Sequence, residues 1–188
     1  MRKFYQPGFE ANRDDLMGIN DYEMDFPYVK YLKGEILSNN DINSFEFFTD
    51  DSIIKTSKTH VAGNPLGAMI YSDTLLDYIY DYIKNDAQIF KIDITQKKTG
   101  KIIKGFNFIH PTTIIKCVDM KKSKYVIDNE DNSIRLTKIR LDESKIPNNL
   151  HLFRLEEATH IEVVSEEFVK PLIGKKMEGI CLFKLFDD

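Results

Sequence analysis

The sequence has no tryptophan, two cysteines and four histidines among its 188 residues. Each shortage narrows the function. The missing Trp is offset by 13 Phe and 9 Tyr, enough aromatic surface to fill a core. Cys117 and Cys181 lie inside apolar runs, "TTIIKCV" and "GICLF". They read as small buried hydrophobes rather than a disulfide, which suits a reducing cytoplasm. His60, His110, His151 and His160 contain no i, i+3 or i+4 pair, and none flanks a cysteine at ligand spacing, so no metal site is expected. No run approaches ~18 consecutive apolar residues, so no membrane-spanning helix is expected. "MRKFYQPGFEANRDD" carries basic residues without an apolar stretch behind them and does not read as a signal peptide.

Catalytic signatures are missing too. No serine stands in a G-x-S-x-G turn. "AGNPLGAMIYSD" lacks the Lys-Ser/Thr of a phosphate loop and the third glycine of a dinucleotide loop. The acidic pairs Asp50-Asp51, Glu156-Glu157 and Glu166-Glu167 are adjacent residues, which face opposite ways on a strand and make poor dyads. The formal charge of −4 lacks the basic excess of a nucleic-acid binder. The run Lys97, Lys98, Lys101, Lys104 has no interleaved aromatics to stack on bases and reads as a solvated turn. No catalytic residue and no cofactor is therefore expected.

What is present is a globular composition, 42% hydrophobic and 30% charged with the signs mixed, sized for one domain or two small lobes. Residues 1–65 read as an N-terminal lobe, with a short strand at "KFY" and another before Gly34. "FEFF" and "SIIK" are short apolar patches that fit a strand or a helical turn. Residues 66–188 are clearer. Ser72 stands at an N-cap with Asp73 in the first turn, and Leu75, Leu76, Ile79, Tyr82 and Ile83 follow at helical spacing. "QIFKIDI" alternates as a half-buried strand, and a hairpin turns at Thr99-Gly100. "TTIIKCVDM", "KYVID" and "SIRLTKIRL" read as strands. A change of apolar parity between Leu136 and Ile139 predicts a bulge near Thr137.

The end of the chain repeats this plan. "LHLFRL" and "THIEVV" are strands, Ser165 caps a short helix with Glu166 and Glu167 in its first turn, and Gly174 ends it. "ICLFKL" is apolar at nearly every position and is expected to be a strand buried on both faces. "MIYSDTLLDYIYDYIKNDAQIFKI" and "EVVSEEFVKPLIGKKMEGICLFKL" share one order: apolar run, capping serine, acid, helix, polar break, strand. The fold class expected is α+β, mostly antiparallel sheet with short helices and two similar β-α-β units. Arg154 lies between Phe153 and Leu155 in an apolar strand. Its guanidinium is expected to find a carboxylate or carbonyls within the domain.

Taken in succession, "IYSDTLLDYI", "AQIFKIDI", "IIKCVDMKKSKY", "IRLDESKIP", "HLFRL", "VVSEEFVKPL" and "MEGICLFKL" resemble a bacterial immunity-protein family of polymorphic toxin systems, the MXAN-type immunity domain, over residues 66–185. The resemblance implies a cytoplasmic, non-enzymatic protein that binds and neutralises a cognate protein toxin; the charge balance and the lack of a long apolar run add the expectation of neither a nucleic-acid nor a membrane partner. The alternatives are a small enzyme whose residues are scattered through loops, and a regulatory protein-binding module. Two acidic clusters could face a basic toxin: Asp21, Glu23 and Asp25, and the turn carrying Asp128, Glu130 and Asp131. The second is favoured, because flanking strands would hold it in place and reduce the entropy lost on binding.

Overall fold

The computed structural model describes residues 2–10, 13–23, 28–50, 58–127 and 134–185. In chain order its elements are β1 (Phe4–Phe9), β2 (Asp21–Glu23), α1 (Tyr28–Leu32), α2 (Asn39–Asn43), β3 (Glu46–Thr49), β4 (Met69–Ser72), α3 (Asp73–Ile83), β5 (Ala87–Gln96) and β6 (Ile102–Pro111). They continue with β7 (Ile114–Ile115), β8 (Lys124–Ile127), β9 (Ile134–Lys138), β10 (Leu152–Leu155), β11 (Ala158–Ser165), α4 (Glu166–Val169) and β12 (Ile180–Lys184). The fold is α+β, as its patterning predicts.

Two sheets carry it. One runs β2-β3-β5-β6-β4, the other β12-β1-β11-β10-β7, and β8 and β9 form a separate hairpin. Most pairings are antiparallel; β3 with β5 and β7 with β10 are parallel. Both halves contain the same split unit. β4 and β5 flank β6 and run antiparallel to it. β11 and β12 flank β1 in the same way. The third strand of the second unit is thus supplied from the far end of the chain.

α3 and α4 begin alike. Ser72 Oγ accepts from Leu75 N at 3.2 Å, and Ser165 Oγ accepts from Phe168 N at 3.4 Å. α3 turns Leu75, Ile79 and Ile83 inward. They meet Phe168 and Leu172 from α4 and its 3-10 extension, with Met69, Tyr71, Ile109, Leu152 and Val164 from the two sheets. A second core lies outside the first sheet around Ile42, Phe47, Ile70, Ile94 and Phe108. A third lies outside the second sheet around Phe4, Cys117, Phe153, Leu155 and Val163. β4 and β10 are buried throughout because they have core on both faces.

Several expectations need correction. The segment before Gly34 is the helix α1, not a strand. Gly34 follows it with φ +63°, and a Cβ there would come within 3.0 Å of Thr112 O, so the close approach requires glycine. "TTIIKCVDM" keeps only the two-residue strand β7. The last strand is not buried on both faces. β12 is an edge strand, and Phe183 is 59% exposed; a continuous apolar run did not distinguish a buried strand from an edge one. "FEFF" contributes strand β3, while "SIIK" lies outside the described residues. The bulge falls as expected: Lys124 stands opposite Lys138 and Tyr125 opposite Leu136, leaving Thr137 over.

Candidate functional site

Serine and histidine come together twice. His60 Nδ1 lies 2.9 Å from Ser72 Oγ, and His151 Nδ1 lies 2.8 Å from Ser165 Oγ. In both cases the serine N–H also donates to the histidine carbonyl, at 2.9 Å and 3.0 Å. The linkers match as well. His60 N donates to Glu178 O at 3.0 Å, and His151 N donates to Asp86 Oδ2 at 2.7 Å. Asp86 ends the turn before β5 and Glu178 precedes β12, so each half docks on the other's post-helix turn. The sequence repeat shows the capping serines but not the histidines, which lie a strand away from them.

A serine beside an imidazole suggests a nucleophile. The geometry argues otherwise here. Each Oγ already accepts the helix N–H that it caps, and both serines are buried. These pairs tie the chain at His60 and at His151, just before β10, to a helix start.

Arg154, from β10, is buried at the junction of the two sheets. Its Nη2 donates to Glu162 Oε1 at 3.0 Å, its Nη1 donates to the Tyr31 carbonyl, and its guanidinium stands 4.1 Å from the Tyr31 ring centroid. Tyr31 Oη donates to Glu162 Oε1 at 3.3 Å. Burial pushes the Glu162 carboxyl up, and the neighbouring Arg154 charge opposes this. Nearby, His110 Nε2 meets Glu35 O at 2.9 Å, and Gln88 bonds both the N–H and the carbonyl of Leu37. Arg154, Glu162, His110 and Gln88, drawn from both sheets, thus clamp one short strap, residues 28–37. Desolvation lowers the His110 pKa to about 4.

Other groups offer less chemistry. Cys117 and Cys181 are free thiols; burial pushes Cys117 up to about 12, which leaves it a protonated, unreactive hydrophobe at neutral pH. Among the described residues no three His, Cys, Asp or Glu side chains gather as metal ligands. An open cleft of about 540 Å³ lies between Phe9, Arg13, Asn20, Asn64 and Gly179. Its one cation, Arg13, is already paired with Asp15, Glu10 and Glu178. The expected partner-binding residues Asp128, Glu130 and Asp131 lie outside the described residues, as does Asp25. Asp21 and Glu23 are exposed on β2, where Asp21 pairs with Lys97 at 2.8 Å. No helix among the described residues is long and apolar enough to cross a membrane.

A family model described as "Immunity protein family (Imm11)" matches residues 43–185. The chain belongs to the Imm11 immunity protein family. The match begins ahead of the span over which the motifs are legible by eye and includes β3 and most of both sheets. No curated protein matches the chain.

Proposed function

We propose that this Imm11 member binds a cognate protein toxin of a bacterial polymorphic toxin system and neutralises it in the cytoplasm without catalysis. The family match over residues 43–185 carries the reading. Two features support it. The serines that stand beside histidines are occupied as helix caps. Both cysteines are free thiols, which fits a reducing compartment.

A large gene directly upstream whose protein ends in a variable C-terminal domain would supply the candidate toxin, and the experiment uses that domain. Expressed alone in the cytoplasm of a test bacterium, that domain should arrest growth, and coexpression of this chain should restore it. The purified pair should form a complex of fixed stoichiometry by size-exclusion chromatography with light scattering. Rescue at amounts of chain far below those of toxin would point to an enzyme instead. Absence of both rescue and complex would overturn the reading.

A further inference from the structure

We infer that β8 is the edge on which the toxin docks, by adding an extended, acid-bearing segment of its own as the next strand; this rests on the toxin-binding reading above. The hairpin is built asymmetrically. β9 turns Ile134 and Leu136 toward the protein, and Leu136 packs against the core around Phe153. β8 lies outside β9, with every residue exposed. Tyr125 is 40%, Val126 59% and Ile127 51% exposed, three consecutive large apolar residues presented to water. β8 has β9 on one side and no strand on the other among the described residues. An uncovered apolar strand edge is a template for pairing with another chain and is normally blunted or covered. Strand addition satisfies the open row of backbone groups and gives pockets to alternate side chains.

Charge says what kind of strand fits. Lys124 opens β8, Lys121 precedes it by three residues, and Arg135 stands opposite Val126 in the ladder; all three cations are exposed. Lys121, Lys124 and Arg135 form no ion pair among the described residues. A partner strand with carboxylates near Lys121 and Lys124 and apolar side chains against Tyr125 and Ile127 would pair these exposed cations and cover the apolar surface together.

The test uses the full chain and the purified upstream-encoded toxin domain. Two variants are made: Tyr125→Ser with Ile127→Ser, and Lys121→Glu with Lys124→Glu. Thermal unfolding checks that each variant folds as wild type; the charge variant alters only exposed side chains, so it remains informative if the apolar one unfolds. The apolar pair should weaken binding about 30-fold, as loss of a central anchor does. The charge reversal should weaken it about tenfold, with the loss shrinking at high salt. Amide exchange should slow at residues 124–127 when the toxin is bound. Folded variants that bind within about twofold of wild type, with no protection at 124–127, would overturn the assignment of β8 while leaving toxin binding intact. If the wild-type chain binds no toxin, the toxin-binding reading fails and this one fails with it. If sedimentation shows that the chain alone dimerises through Tyr125 and Ile127, and toxin binding is unaffected by their loss, the edge belongs to a second copy and the proposal is wrong.

Discussion

Arg154 Nη2 and Glu162 Oε1 are 3.0 Å apart with side-chain exposures of only 1% and 8%, so one buried charge answers the other at the point where the strap meets both sheets. Removing one partner strands its mate. Arg154→Leu leaves the Glu162 carboxylate without its cation and the Tyr31 carbonyl without its donor, and should cost about 3–5 kcal/mol. Replacing both charges, Arg154→Leu with Glu162→Leu, should cost less than the single change, because no uncompensated charge remains. Urea unfolding at neutral pH measures both. A single variant with wild-type stability but lost toxin binding would move Arg154 from the frame of the protein to its interface.

His110 makes stability depend on pH. It is fully buried, stacked near Phe108 and Tyr31, bonded to Glu35 O and close to the Arg154 charge. Its pKa falls from 6.5 to about 4 on folding. Between those values the unfolded chain binds a proton that the folded chain refuses, so stability rises with pH across that window and is lost on acidification. The full effect is about 3 kcal/mol. The urea midpoint should therefore fall between pH 7 and pH 4.5, and His110→Phe should remove part of that fall even though it forfeits the bond to Glu35.

Ser72→Ala and Ser165→Ala should each lower stability by about 1 kcal/mol, the usual cost of an N-cap. Each also removes the hydroxyl that meets a histidine Nδ1. Thermal unfolding should shift for both variants, and toxin neutralisation in the growth assay should persist. Loss of neutralisation in a well-folded Ser72→Ala variant would revive a nucleophile at that position.

Most of the frame is legible in the sequence because it is written in local rules. An N-cap needs only a serine and the N–H three residues on, so Ser72 and Ser165 announce their helices. The bulge at Thr137 shows because the side-chain period of a strand is two and the apolar parity changes there. What fails is whatever depends on distant neighbours. "ICLFKL" reads as buried because nothing in it says that β1, from the opposite end of the chain, covers one edge while the other has no strand beside it among the described residues. The sequence predicts that Arg154 has a partner. It does not show that Tyr31 is one, since 123 residues separate them. The paired histidines are hidden for the same reason: only the folded register places His60 beside Ser72 and His151 beside Ser165.

Neutralising Asp128, Glu130 and Asp131 together tests the acidic run that lies between β8 and β9 in the sequence. In sequence these acids follow β8, while Lys121, Lys122 and Lys124 stand at or just before its start, so the two signs are separated along the sequence. A toxin whose surface is basic opposite Asp128, Glu130 and Asp131 and acidic opposite Lys121 and Lys124 would be drawn in already oriented. Charges at the rim of an interface act mainly on the rate of encounter. The variant Asp128→Asn, Glu130→Gln, Asp131→Asn should therefore associate more slowly at low salt, dissociate at nearly the wild-type rate, and show a weaker dependence of association on ionic strength. Stopped-flow mixing with the upstream-encoded toxin domain at low and high salt separates these quantities. If association and its salt dependence match wild type, the acids are a solvated turn and steering comes from elsewhere on the surface.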